Sequence, residues 1–319
     1  MTDHRVLVAG ETLVDFLPER PGPLSDVASF DRRAGGAPAN VAVGLARLGH
    51  TPLFWTRVGA DPFGGFLADT LADEGIPGRF VERDPDAKTT LAFVTSDESG
   101  DREFTFYRDG TADTRLEPGT VPDDTLADVE RVVCGGVPLA SGRSREATLD
   151  LLARASDAGT GTWFDPNYRP DLWPGDDFAA VAGDALADVD VLKATEEELR
   201  ALGLAGDSPR ALAEAATERG PRTVLVTLGG DGALAHATAD APWGPATVEH
   251  GSYDVDVVDT TGAGDAFFAG AIARTTESDA SLGSVLSYAN AVAAVATTAR
   301  GAMAALPSHD TVVAVQDSA

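Results

Sequence analysis

One cysteine, Cys134, in 319 residues excludes an internal disulfide and any zinc cluster built from cysteines. Lysine is almost as scarce, with only Lys88 and Lys193 among 24 basic side chains. No Gly-Lys pair occurs, so the P-loop for nucleotide phosphates is excluded. No apolar run approaches about 18 residues without a polar interruption, and no basic-then-apolar leader opens the chain. Neither a membrane span nor a targeting segment is therefore expected, and the chain reads as a cytoplasmic protein. Positive charge is heavily outweighed, 51 acidic residues giving a formal net charge of -27. Such a surface repels nucleic acid and anionic lipid, which leaves neither as an expected partner.

What is present is regular. Hydrophobic residues make up 43% of the chain, enough for one large or two ordinary domains and too regularly spaced for a disordered acidic tail. Apolar β-rich runs at 6–9, 52–58, 131–134, 161–165, 189–193 and 223–228 alternate with helical patterns at 38–48, 63–74, 144–158, 178–187, 196–202 and 209–219. A last strand is expected at 254–258, followed by helices at 264–275 and 282–298. This alternation favours an α/β fold with a mostly parallel sheet covered on both faces. Two stretches break the rhythm. Residues 11–33 are extended and Pro-rich, and residues 89–110 read as a hairpin around Glu98-Ser99-Gly100. They are either edge strands of the main sheet or a small second sheet.

The segment GAGDAFFAGAIA, from Gly262 to Ala273, places a carboxylate at the start of a helix that is apolar on every side. Gly-x-Gly before a helix can be a plain tight turn, and Asp suits a first helical turn. A buried helix start also presents unpaired N–H groups that need partners, and an anion such as phosphate supplies them. A carboxylate beside a phosphate repels it, so Asp265 makes sense there if it handles a proton. Phosphoryl transfer follows as the expected chemistry. Gly35 and Gly36 precede another helix, where Asn40 could bind a polyhydroxylated ligand or merely sit in a loop-to-helix junction. Asp165, Asn167 and Arg169 cluster beyond a strand, where ligands of open α/β sheets lie, although Asp-Pro-Asn is also an ordinary turn. Thr195 and Glu198 have capping-box spacing, which leaves a metal-facing role for Glu198 open. LGGDGALA matches Gly-x-Gly-x-x-Ala, but no clean helix follows, so a turn between two strands is the better reading.

Together these residues resemble the ribokinase-like, PfkB-type carbohydrate kinases over essentially the full chain. DTTGAGDAFFAG is similar to the second family signature and GGAPANVAVGLARLG to the first, in the right order and near opposite ends. The resemblance implies a single domain, 1–319, with a three-layer αβα core and a small β-sheet lid inserted at about 11–34 and 88–112. It implies Asp265 as catalytic base and the backbone of Gly262, Ala263 and Gly264 as an anion hole. ATP and magnesium are implied, with Glu198 acting near the metal through water. Lys193, Thr227, Gly229, Gly232, Gly264 and Asn290 match nucleotide-site positions; the family usually has Asn where Thr195 stands. Asp259 and Thr261 match positions that hold a monovalent cation, potassium being the candidate. Sugar contacts are implied for Asp15, Gly35, Gly36, Asn40, Arg108, Asn167 and Arg169, and a homodimer through the lid. FYRDGTAD and GETLVDFLP are similar to fructokinases, while DPNYRPDLW and FYR also resemble 2-keto-3-deoxygluconate kinases. Fructose is the expected substrate, with the keto-acid as alternative. A non-catalytic sugar or nucleotide sensor on this fold would be expected to lose Asp265 or the glycines, and both are present. The acidic surface resembles that of proteins from salt-accumulating halophiles.

Overall fold

The structure, a computed structural model, describes residues 4–20, 22–96, 102–140, 142–173, 178–277 and 280–317. The strands are β1 (Val6–Ala9), β2 (Leu13–Pro18), β3 (Phe30–Gly35), β4 (Leu53–Gly59), β5 (Val81–Asp84), β6 (Leu91–Ser96), β7 (Arg102–Tyr107), β8 (Arg131–Gly135), β9 (Gly161–Asp165), β10 (Val191–Thr195), β11 (Thr223–Thr227), β12 (Ala233–Ala237) and β13 (Ala246–His250). The helices are α1 (Ala37–Arg47), α2 (Pro62–Asp73), α3 (Asp123–Asp128), α4 (Gly142–Asp157), α5 (Phe178–Ala185), α6 (Glu196–Ala201), α7 (Pro209–Thr217), α8 (Ala263–Thr275), α9 (Leu282–Ala296) and α10 (His309–Asp317).

Nine strands form the main sheet in the order β13-β12-β11-β10-β9-β8-β1-β4-β5. From β11 to β5 every neighbour pair is parallel, and only the β11–β12 and β12–β13 pairs at one edge are antiparallel. Parallel strands buried on both faces read as continuous apolar runs, as VLVA in β1 does. Successive side chains alternate sides: Val6 and Val8 join α1, α8 and α9, while Leu7 and Ala9 join α4, α5 and α7 on the opposite face. The expected three layers are thus observed. No helix among the described residues is long and apolar enough to cross a membrane.

The two irregular stretches pair into a separate four-stranded sheet, β3-β2-β6-β7, rather than edging the main one. Parallel pairing of β2 with β6 joins its two hairpins. One of its faces carries Phe16, Phe30, Phe93 and Tyr107, with ring centroids 4.9–6.5 Å apart from one to the next. The turn expected at Glu98-Ser99-Gly100 lies outside the described residues.

One expectation fails. Residues 254–258 are not a strand, and the last strand is β13, ending at His250. The alternating DVDVV pattern suits a half-buried strand, but no strand among the described residues pairs with it. Val258 and Asp259 instead donate their amides to the Thr297 carbonyl, leaving Val257 and Val258 exposed.

Candidate active site

Helix α8 runs buried from Asp265 to Ala273. Side-chain caps close the N-termini of α2 (Asp61), α6 (Thr195), α7 (Ser208) and α9 (Ser281). Helix α8 has none; its N-cap is Gly262 at φ +76°, a left-handed position that glycine adopts without penalty. The Ala263 amide donates to the Thr260 carbonyl at 3.2 Å, so of the first-turn donors those of Gly264 and Asp265 are left to face the site. The loop before the helix is fixed by Asp259, whose Oδ1 accepts from the Thr261 amide and hydroxyl at 2.9 and 2.6 Å. Its Oδ2 accepts from the Gly301 amide at 2.9 Å.

Close helix packing puts the catalytic candidate against its partner. Asn40 and Gly44 stand one turn apart on α1, as Asp265 and Ala269 do on α8. A Cβ at Gly44 would approach that of Ala269 to 2.8 Å, so only a glycine admits this spacing. At that separation Asn40 Nδ2 donates to Asp265 Oδ2 at 2.8 Å, joining the two sequence signatures across 225 residues. Burial pushes the Asp265 carboxyl up to about 6, against the Asn40 hydrogen bond and the Lys193 charge, which favour its ionised form.

Lys193, at the middle of β10, is buried and donates to Asp165 Oδ2 at 2.8 Å. Burial works against its charge, but Asp165, Glu198 and Asp265 outweigh that and hold its pKa above the ordinary value. A Cβ at Gly264 would sit 3.1 Å from the Lys193 ammonium, so the lysine meets the first turn of α8 directly. Asn167, at φ +42°, donates its amide to Asp165 Oδ1 at 3.0 Å, and Arg169 is close enough to lower the Asp265 pKa. Glu198 accepts from the Thr195 amide at 2.8 Å and the Tyr168 amide at 3.1 Å, completing the capping box. With both oxygens anchored, it suits a water-bridged metal better than direct ligation. Among the described residues no group of three or more His, Cys, Asp or Glu side chains could hold a metal by itself.

The expected nucleotide-loop residues gather at the same edge of the sheet. Gly229 and Gly232 lie in the β11–β12 hairpin turn, the turn expected between two strands, and Thr227 ends β11. A Cβ at Gly232 would approach the His250 carbonyl to 2.1 Å, and Asn290 donates to the His250 and Gly251 carbonyls at 2.9 and 3.1 Å.

On the side of the four-stranded sheet, Gly35 makes room for Asp15, whose Oδ2 would lie 2.0 Å from any Cβ there. Gly36, at φ +103°, packs against the Glu11 carbonyl. Asp15, Arg33, Val94 and Phe104 face Thr261 and Ala302 across a cleft of about 330 Å³. A larger cavity, about 500 Å³ around Trp163 and Arg222, lies by the amino ends of the main-sheet strands and touches none of these residues.

Arg108 is buried, its Nε donating to Asp113 Oδ2 at 2.6 Å. Asp113, with no side-chain exposure, also accepts from the hydroxyls of Thr90 and Thr111. Asp113 and Glu11 fall within FYRDGTAD and GETLVDFLP, but neither motif by itself gives them a role. The signal for Glu11 was a carboxylate directly after the apolar strand VLVAG, a costly position for a charge.

The chain matches the model of the pfkB family of carbohydrate kinases over residues 3–309. It is 37% identical to a fructokinase of Klebsiella pneumoniae over 312 residues, 96% of this chain and 97% of that one. A Xylella fastidiosa fructokinase structure with bound ATP superposes with a TM-score of 0.87 at 32% identity, covering 99% of each chain. A double mutant of Vibrio cholerae fructokinase, bound to fructose, ADP and potassium, gives 0.84 at 32% identity, covering 98% of each.

Proposed function

Since the chain belongs to the pfkB family of carbohydrate kinases, we propose that it is a fructokinase that moves the γ-phosphate of ATP to a hydroxyl of fructose. The observation that carries this reading is the meeting of Asn40, Asp265 and Lys193 at the uncapped, half-buried N-terminus of a buried helix. Phosphoryl transfer asks for alignment and charge neutralisation more than covalent help. The Gly264 and Asp265 amides are aimed to stabilise the transferring oxygens without reorganisation, with Gly262 and Ala263 shaping the turn. Lys193 adds a buried positive charge beside them. An aspartate cannot strip an alcohol in the ground state, but Asp265 can accept the proton as the oxygen attacks. Asn40 orients it. Asp15, Asn167 and Arg169 hold sugar hydroxyls, with Gly35 and Gly36 giving them room.

Thr227, Gly229, Gly232 and Asn290 border the nucleotide. Magnesium bound with ATP supplies neutralisation of the phosphate charge, and Glu198 would hold its water. Asp259 and Thr261 would border a potassium ion. The four-stranded sheet acts as a lid that excludes water on closure. Tyr107, 60% exposed at the end of the aromatic row, supports a homodimer through that sheet.

The Arg108–Asp113 pair favours fructose over a keto-acid. Asp113 already offsets the guanidinium charge, so the pair suits a neutral hydroxyl better than a second carboxylate. An ATP-dependent panel of fructose, ribose, 2-keto-3-deoxygluconate and adenosine in molar KCl is expected to give the highest kcat/KM with fructose. Preference for 2-keto-3-deoxygluconate would reassign the substrate and leave the kinase standing. ATP and sugar binding without product would mark a sensor.

The charge of -27 carries its own prediction. Repulsion reaches about 30 Å at 0.01 M salt and about 3 Å at 1 M. Tm is expected to climb steeply from dilute buffer to molar KCl, and a flat profile would refute adaptation to high salt.

A further inference from the structure

Glu11 is 2% exposed, and its Oε2 has no hydrogen-bond partner. It stands in the three-residue link between β1, in the interior of the main sheet, and β2 of the lid. Its Oε2 lies about where the carboxyl end of β8 passes, 4.0 Å from a Cβ built at Gly135. The charged groups that act on it are Arg108 and Asp113 from the base of the lid and Asp265 from α8. Those are the two sides between which the sugar is proposed to sit. A buried polar atom left unsatisfied is destabilising, and native structures keep few of them without a use.

We propose that Glu11 is a substrate-binding residue whose Oε2 hydrogen-bonds a hydroxyl of the sugar between Arg108 and Asp265. This rests on the sugar-kinase reading above. Burial pushes the Glu11 carboxyl up to about 8, opposed by its own backbone amide and by Arg108 and reinforced by Asp113 and Asp265. At neutral pH the group is therefore a neutral acid, and it donates. A second carboxylate would repel Asp265 and the incoming phosphate, whereas a carboxylic acid recognises a hydroxyl without adding charge.

The test compares Glu11→Gln, which keeps a donor and cannot ionise, with Glu11→Ala, which has none. Glu11→Ala is expected to raise KM for fructose roughly tenfold, with KM for ATP unchanged. Glu11→Gln is expected to stay within about threefold of wild type. Wild-type KM for fructose should rise as pH climbs through about 8, while that of Glu11→Gln stays flat. The folded pKa lies above the unfolded value of 4.5, so wild type loses stability relative to Glu11→Gln as pH rises from there to about 8. Should Glu11→Ala fail to fold, the pH profiles of wild type and Glu11→Gln decide alone. An unaltered fructose KM in Glu11→Ala, equal losses for ATP and fructose, or a pH profile shared by wild type and Glu11→Gln would overturn the proposal. A wild type that phosphorylates no sugar overturns the kinase reading itself.

Discussion

Asp265→Asn is expected to lower kcat by about 10²–10⁴-fold while ATP still binds, the range that a positioned general base contributes. The side chain keeps its size and its place beside Asn40 but can no longer accept the proton. The same assignment predicts the pH profile of wild type. Asp265 titrates at about 6, raised mainly by burial, so kcat/KM should fall off on the acid side near that value. Asn40→Ala removes a hydrogen bond that favours the ionised form and should move the limb to higher pH. Stability should move the other way from activity. The folded chain holds this proton to about 6 and the unfolded one releases it near 3.8, so wild type loses stability as pH rises across that window. Above pH 6 the Asn variant, with no buried charge to form, should melt higher than wild type. Retention of more than about a tenth of wild-type kcat would remove Asp265 as the base.

Gly264→Val should abolish turnover and weaken ATP binding at least about tenfold in a chain that still folds, by filling the space where helix N–H groups meet phosphate. The nearest atoms to an added Cβ are the Nζ and Cε of Lys193, at 3.1 and 3.8 Å, the far end of a side chain that can yield. Gly262→Val is the contrasting variant. At φ +76° a side chain is strained by about 1–2 kcal/mol. Its Cβ would also lie 2.6 Å from that of Ala302, in a loop that Arg47 pins through the Met303 and Leu306 carbonyls. Gly262→Val should therefore lose Tm as well as activity, whereas Gly264→Val should lose activity alone. Normal ATP affinity and rate in folded Gly264→Val would reduce the turn to a structural feature.

The reason Asp265 could be singled out from the chain alone is local. An all-apolar helix behind Gly-x-Gly has to be buried, and a buried helix start needs a partner. The parallel sheet was legible in the same way, because strands buried on both faces carry unbroken apolar runs. The misread strand at 254–258 marks the limit of pattern, since period-two alternation states what a segment would suit, not whether an edge is available to pair with it. The Asn40–Asp265 bond depends on the fit of Gly44 to Ala269, which has no trace in either signature by itself. Asp113 and Glu11 escaped for a related reason. Their roles arise from what surrounds them after folding: two threonine hydroxyls and Arg108 for one, burial near Arg108, Asp113 and Asp265 for the other.

The place of β1 in the sheet has a consequence for how the chain reaches this state. Strands β8 to β13 add on in sequence order, so that half can assemble from contacts between segments close along the chain. The N-terminal strand cannot. It lies between β4 and β8, and its register with Arg131 to Cys134 closes a loop of more than a hundred residues. On a ribosome, VLVA emerges well before β8; β4 can cover one of its edges early, but the other waits until β8 follows. Contacts of such long separation form slowly, and an uncovered strand edge is open to association in the interval. Final assembly of the site is tied to that late event, because the same strand leads within three residues to Glu11 and the lid.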